Sequence, residues 1–288
     1  MNKIVENQIN EFISNRTVIN RKILSEAFNM RCEKITLNDK DVFVAKYYTK
    51  QNINFNSIIS ETNSLIYLLN KFPTFFPSVK YCSANLLIID FIEHNNVKGK
   101  NYQKILANHI LKLHFVQNDK YGFNFDTQIG GLKQSNQYDS SWINFFRDKR
   151  LNMIFEKINK SNSMSLKINL KIEKLIKNLD KYIPNNPRPS LLHGDLWDGN
   201  ILFNDCKLVA LIDPGPFFGH NEMEIAYLTW FKYVDDVFLN FYKERNNINI
   251  QYAEYEPIYQ LYYSLLNIYL WDRIYINDTL DLLNKIKI

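Results

Sequence analysis

The sequence predicts an α+β fold. A small lobe with a five-stranded antiparallel sheet and one helix covers residues 1–92, and a larger, mainly helical lobe covers residues 93–288. Two observations predict it. Short apolar and alternating runs dominate residues 23–48 and 79–92, with a single helical stretch between them. Beyond residue 100 the apolar positions recur at helical spacing almost to the end.

Ile4, Val5, Ile9, Phe12 and Ile13 open the chain as a helical stripe. Residues 27–32, 34–37 and 42–48 read as strands, with Asn38-Asp39-Lys40 as the turn between the last two. Residues 56–71 return to helix on Ile58, Ile59, Leu65, Ile66, Leu68 and Leu69. Pro73 and Pro77 mark a loop, and residues 79–81 and 86–92 supply the last two strands. Helices are then expected at about 101–117, 139–156, 165–182, 221–231, 234–245, 255–273 and 278–286. A sheet lobe followed by a helical lobe creates a cleft, a usual home for a ligand.

Composition narrows the class. At 288 residues and 46% hydrophobic content, the chain can bury a large core. The net charge of +5 comes from Lys and Arg spread along the chain, so no nucleic-acid surface is expected. Cys32, Cys82 and Cys206 are far apart and odd in number, which argues for a reduced, cytoplasmic setting and against a disulfide framework or a zinc site. Glu6 and Glu11 break the apolar N-terminus, so it does not read as a signal peptide. Gln260, Ser264 and Asn267 interrupt the most apolar late run, so no membrane span or membrane partner is expected.

The densest chemistry lies in Leu191-Leu192-His193-Gly194-Asp195-Leu196-Trp197-Asp198-Gly199-Asn200, followed by Val209-Ala210-Leu211-Ile212-Asp213-Pro214-Gly215. An acid, an amide five residues on and a second acid closing the next apolar run form the layout of a phosphoryl-transfer site. Asp195 would accept the proton of an attacking hydroxyl, while Asn200 and Asp213 would hold Mg²⁺ on the phosphates of ATP. Hard oxygen ligands suit Mg²⁺, which needs few protein groups. Two short apolar runs around Asn204-Asp205 read as a hairpin, so Asn200 and Asp213 should be neighbours at its open end.

The remaining parts follow the same logic. Lys46 ends an alternating strand and would contact the nucleotide phosphates, with Glu61 on the next helix as its ion-pair partner. Asp90-Phe91-Ile92 would be the hinge, where Asp90 and Ile92 bond adenine through main-chain groups. His193 reads as a loop brace, because Asp195 already supplies a base. His220, just past the metal loop, is either a brace or a substrate contact. His114, on an apolar helix, reads as core.

Here the sequence resembles the fructosamine kinase, or ketosamine kinase, family within the aminoglycoside-phosphotransferase-like branch of the protein-kinase fold. Residues 193–200 are similar to that family's HGDLWxGN. Ile212-Asp213-Pro214 with Phe217-Phe218-Gly219-His220-Asn221-Glu222 is similar to its IDPAxYYGHRE. Segments 121–123, 129–131, 142–151 and 259–267 extend the likeness over most of the chain. The resemblance implies a two-lobe protein-kinase-like fold, residues 1–92 binding nucleotide and 93–288 carrying catalysis. It implies transfer of the ATP γ-phosphate to the 3-hydroxyl of a sugar ketoamine, small or protein-bound, by a monomer or homodimer. It assigns Trp197 to the sugar-amine pocket, where packing under the loop is the alternative; His220 is counted beside it as a substrate contact, with the brace as its alternative. It also places Ser25 in the nucleotide loop. That loop is glycine-rich in the family; here Asn20-Arg21-Lys22-Ile23 lacks glycine, so Arg21 and Lys22 are expected to offer side-chain charge to the phosphates instead. The alternatives are a kinase of another hydroxyl compound, such as an aminoglycoside, choline or an amino sugar, and a silent nucleotide-binding scaffold.

Overall fold

The computed structural model describes residues 3–50 and 54–287. In chain order the elements are α1 (Lys3–Ile13), β1 (Val18–Ala27), β2 (Met30–Leu37), β3 (Val42–Tyr48), α2 (Ser57–Lys71), β4 (Val79–Cys82), β5 (Leu86–Asp90), α3 (Tyr102–His114), β6 (Thr127–Ile129) and β7 (Leu132–Gln134). Then come α4 (Trp142–Phe146), α5 (Asn152–Asn162), α6 (Leu166–Lys177), β8 (Pro189–Leu192), β9 (Ile201–Asn204), β10 (Lys207–Leu211), β11 (Phe217–His220), α7 (Asn221–Trp230), α8 (Asp236–Lys243), α9 (Tyr252–Leu270) and α10 (Ile276–Lys285). They form two compact units. The first takes the chain up to Gly99, with Thr127–Lys133 and Gly199–Gly215; the second takes Lys100–Asp126, Gln134–Asp198 and the chain from Pro216 onward. The sequence reading divides the chain once, at residue 92. The first unit runs seven residues further and recruits two later segments, because the β9–β10 hairpin packs with the sheet side of the molecule's sequence.

In the first unit the five strands are all antiparallel, in the order β1-β2-β3-β5-β4. Side chains alternate between the two faces of a strand. Phe43, Ala45 and Tyr47 of β3 therefore share one face, with Ile35, Leu37, Leu86 and Ile88 from the neighbouring strands. Val5, Ile9 and Ile13 of α1, spaced four apart, pack on that face. Full burial of each such aliphatic side chain contributes about 1.5–3 kcal/mol. The same alternation puts Lys46 on the opposite face. Asn56 caps α2 by accepting a bond from the Ile59 amide (3.0 Å), and Ile58, Glu61, Leu65 and Leu68 form its buried stripe.

The first hairpin departs from the sequence reading. The run 27–32 is a strand end, a turn and a strand start, because Phe28 (φ 52°) and Asn29 (φ 60°) form a two-residue turn with both residues left-handed. Asn tolerates that conformation and Phe rarely does, so nothing in the sequence marks the turn. Residues 20–23, read as the nucleotide loop, lie inside β1. Arg21 is committed to Glu6 (2.7 Å) and Glu33 (3.5 Å), which corrects the expectation that it offers charge to phosphates. Gly131, itself left-handed (φ 74°), accepts the close approach of Phe28, whose Cβ would sit 3.2 Å from any side chain added there.

The second unit is mainly helical. The helix expected at 139–156 spans 142–162, begun by Ser141 capping the Asn144 amide (3.2 Å) and widened by one π turn at Arg147–Leu151. That turn delivers Arg150 to the interior. Its guanidinium lies 4.1 Å from the centre of the Phe217 ring and donates to the Ser135 carbonyl (2.9 Å) and Asn136 Oδ1 (2.6 Å). Strands β8 and β11 pair antiparallel, a pairing the sequence reading does not contain. α7 follows β11 directly and packs on α9. No helix among the described residues is long and apolar enough to cross a membrane.

His220 closes β11 and precedes α7, and it is only 4% exposed. Its contacts follow from donor chemistry. The Trp142 indole can only donate, so Tyr259 Oη accepts from it (2.9 Å) and donates onward to His220 Nδ1 (2.8 Å). Nε2 then faces Glu222 at 3.4 Å. The placement of His220 against substrate is therefore corrected: it braces the start of α7 from inside the core. Burial, with a smaller contribution from His114, pushes its imidazole down to about 3 from an ordinary value of 6.5. A neutral imidazole in the fold that protonates in the unfolded chain stabilises fully above pH 6.5, and this stabilisation is lost as pH falls from there toward 3. Melting temperature should thus drop on acidification from pH 7.5 to 5, and His220→Gln should flatten that slope. An identical slope in the variant would contradict the buried neutral state.

Candidate active site

The first unit assembles a charge cluster on the face of its sheet opposite α1. Lys46 Nζ donates to Glu61 Oε1 (2.5 Å) and to Asp213 Oδ1, and both Lys46 and Glu61 are buried. Burial opposes the charge on Lys46, but the two facing carboxylates, Asp213 first, raise its pKa and keep it protonated. An ammonium buried without partners would cost about 3–5 kcal/mol, so β3, α2 and the end of β10 are held in register by one charge. Asp213 differs from the other two: its side chain is 39% exposed. Its backbone is left-handed at φ 55°, a conformation that Asp tolerates better than most residues.

The hairpin does what its spacing implies. β9 and β10 pair antiparallel, and the turn is Asp205-Cys206, both left-handed, one residue later than the sequence places it. At the open end the Ile212 amide donates to the Asn200 carbonyl (3.0 Å), which fixes Asn200 beside the residue preceding Asp213. A carboxylate and a carboxamide are hard oxygen donors of the kind that hold Mg²⁺. No group of three or more His, Cys, Asp or Glu side chains arranged for a metal occurs among the described residues.

The other nucleotide-side candidates are more peripheral. Ser25 lies on exposed β1 opposite Cys32 of β2. Burial pushes the Cys32 thiol up to about 12, which leaves it unreactive. The Asp90 carboxylate pairs with Lys80 (3.1 Å), and the Asp90 amide is used in the sheet, donating to the Ser78 carbonyl (3.0 Å). The Ile92 carbonyl contacts His94 Nδ1 (2.8 Å).

The second unit carries the loop from His193 to Asp198. Gly194 takes φ 87°, which only glycine adopts freely. Its amide donates to Glu224 Oε1 (2.8 Å), and the His193 amide donates to Glu224 Oε2 (3.2 Å). His114 Nε2 meets the same Oε2 at 3.0 Å, while its Nδ1 bonds the Tyr242 hydroxyl (2.7 Å). Burial pushes the Glu224 carboxyl up, but the bond and charge of His114 and the loop amide outweigh it and hold it below its ordinary value. His193 Nδ1 accepts from the Asp195 amide (3.3 Å), the bracing role expected of it. Trp197 is 39% exposed on the outer part of the loop.

Glu224 and His114 were missed as functional residues by sequence reasoning. Glu224 stands next to the recognised Gly219-His220-Asn221-Glu222 motif, yet a helix acid that anchors a loop looks the same in sequence as one that faces water. Burial raises the hydroxyl pKa of Tyr227, Tyr262 and Tyr263, and the Asp195 carboxylate adds a smaller push in the same direction.

Comparison with known proteins bears on this arrangement. The family model described as fructosamine kinase matches residues 1–288. A Lactiplantibacillus plantarum protein provisionally named ketoamine kinase is 28% identical over 213 residues, 73% of this chain and 74% of that protein. The chloroplastic protein-ribulosamine 3-kinase of Arabidopsis thaliana is 30% identical over 185 residues, 63% of this chain and 56% of its own length. Among solved structures, a Thermobifida fusca protein provisionally named fructosamine-3-kinase aligns with a TM-score of 0.85 at 21% identity, covering 99% of this chain and 98% of that one. The aminoglycoside phosphotransferase APH(2'')-IIa, solved with streptomycin and ATP, aligns with a TM-score of 0.62 at 17% identity, covering 99% and 96%. The fold is thus α+β and protein-kinase-like, and the chain belongs to the fructosamine kinase family, phosphotransferases that act on a hydroxyl group of sugar amines.

Proposed function

We propose that this chain transfers the γ-phosphate of ATP to the 3-hydroxyl of a ketosamine, either free or attached to a protein. The observation that carries the nucleotide half is the buried Lys46 held between Glu61 and Asp213. Such a lysine is set to meet phosphate oxygens, with Glu61 fixing its position. Asn200 and Asp213 would hold Mg²⁺, which neutralises charge on the phosphates when bound. The 3-hydroxyl and the protein-bound acceptor are supported by the name of the Arabidopsis relative.

In this reading Asp195 is the base. The acceptor oxygen forms a bond to the γ-phosphorus, the bond from phosphorus to the oxygen leaving with ADP breaks, and the hydroxyl proton passes to the Asp195 carboxylate. Glu224 positions that carboxylate through the two loop amides. Trp197 offers an exposed aromatic face to the sugar amine, whose nitrogen carries positive charge at neutral pH. Compartment and oligomeric state enter the proposal as a cytoplasmic monomer or homodimer.

Phosphorus–proton NMR of the product from fructosyl-lysine and Mg-ATP tests the function directly. Phosphate at the 3-position is expected. Good turnover of an aminoglycoside or choline with none of the ketosamine would overturn it. Asp195→Asn should retain the melting-temperature rise caused by Mg-ATP yet lose about 10²–10⁴-fold in kcat, the usual range for a general base; near-normal kcat would remove Asp195 from that role. Asp213→Ala should raise the Mg²⁺ concentration needed for half-maximal rate and cripple kcat. Asp205→Asn, which keeps a residue tolerant of φ 45° at the hairpin tip, should change neither. Equal damage from both substitutions would refute the assignment of the metal to the open end of the hairpin.

A further inference from the structure

The second unit carries an aromatic surface that the proposed chemistry does not use. On α7, residues three and seven positions apart share a face. Glu224, which anchors the catalytic loop, is therefore followed on that face by Tyr227 and then Phe231. Tyr227 stacks flat on Tyr263 of α9, with ring centres 3.8 Å apart and planes 8° from parallel. Phe231 lies 5.2 Å from Tyr227 and 4.8 Å from Trp230, and Trp230 lies 5.9 Å from Tyr275. On α9, Tyr263, Asn267 and Trp271 follow at four-residue spacing, and the Trp271 amide bonds the Asn267 carbonyl (2.9 Å). The C-terminal ends of α7 and α9 thus form a shelf of rings that begins beside the loop bearing Asp195.

The shelf changes character along its length. At the loop end, Tyr227 and Asn267 are buried and polar at their tips, suited to hydroxyl groups. Farther out, Phe231 is 37% and Trp271 61% exposed, and Trp230, in ring contact with Phe231 and Tyr275, is half-buried. Exposed aromatic surface gathered at one end of two packed helices marks an interaction site. Three residues, about 4.5 Å of helix rise, separate the Tyr227 level from the Trp230 level. In a ketosamine the amine sits on the carbon next but one to the carbon bearing the 3-hydroxyl. With that hydroxyl at Asp195, a substituent on the nitrogen begins at about that distance.

We infer that the shelf of Trp230, Phe231, Tyr275 and Trp271 binds the group carried on the nitrogen of the acceptor, and that it selects aromatic or extended apolar amines over small ones. This rests on the sugar-amine reading of the Asp195 loop. The occupant is argued from continuity: the rings extend the helix face that holds the base, and they end in open, apolar surface where a sugar alone has nothing to place.

The test compares N-fructosyl-benzylamine with N-fructosyl-methylamine. The wild-type protein should favour the benzyl compound by about tenfold in kcat/KM, a preference of the size one buried ring supplies. Trp271→Ala should remove most of that preference through KM, leaving kcat and the methyl compound within about twofold. Trp230→Leu, which keeps an apolar core-facing side chain, should act the same way, so loss of fold in one variant cannot mimic the result. Equal kcat/KM for the two compounds in the wild type, or equal losses on both in the variants, would overturn the inference. Concentration-dependent dimerisation abolished by Trp271→Ala, with selectivity unchanged, would assign the shelf to a second copy and overturn it too. If neither ketosamine is phosphorylated, the proposed function fails, and tryptophan fluorescence with benzylamine alone decides the shelf. Saturable quenching lost in Trp271→Ala supports it, and absence of quenching refutes it.

Discussion

One buried ammonium organises the first unit. Lys46 points away from the face that α1 covers, and it can be protonated there only because Glu61 and Asp213 both meet it. That requirement fixes three separate pieces of chain. β3 must present Lys46 at its inner position, α2 must turn Glu61 inward along its apolar stripe, and the β9–β10 hairpin must end with Asp213 at the ammonium. The arrangement is also unequal by design. Glu61 is sealed in the interior, whereas Asp213 is part-exposed and left-handed in backbone, so one partner of Lys46 is fixed and the other is open to exchange. An anion arriving on the nucleotide can then share Lys46 without leaving it unpaired.

The second unit solves a comparable problem with the opposite charge. Glu224 is a buried carboxylate, and its compensation comes from His114 and from two amides of the very loop that carries Asp195. Removing the loop from its place would leave the carboxylate short of donors, which costs several kcal/mol for a buried charge. Rigidity of the loop and burial of Glu224 are therefore one property. The tyrosine-rich core beneath it works in the same way: Trp142, Tyr259, His220 and Glu222 form a chain in which each donor has one acceptor, and Tyr255 adds a further bond to Glu222.

Much of this was legible in the sequence, and the reasons are physical. Asn200 and Asp213 become neighbours because two short apolar runs around a tight turn can only pair one way. Lys46 and Glu61 were visible because a lysine on a strand, a glutamate on the next helix and a later apolar strand ending in an acid follow the order of a phosphoryl-transfer site. The unreadable parts depend on information that no local pattern carries. Phe28 occupies a left-handed turn position without glycine, so the first hairpin was shifted and Arg21 was given the wrong role. The pairing of β8 with β11 joins segments separated by more than twenty residues. His220 and Glu224 are polar letters in a motif-rich stretch, and only packing shows that one braces α7 from inside while the other holds the loop that bears Asp195. The π turn that buries Arg150 leaves no mark in the sequence at all.

The central claim is that Glu61 holds Lys46 ready for the nucleotide while Asp213 is the exchangeable partner. Calorimetric titration of Glu61→Gln with Mg-ATP tests it most directly. Without the Glu61 charge, Lys46 should bind Asp213 alone and compete with the metal for it. The dissociation constant for Mg-ATP is then expected to rise by about tenfold or more, with the loss partly recovered at high Mg²⁺. Wild-type affinity in Glu61→Gln at every Mg²⁺ concentration would contradict the account.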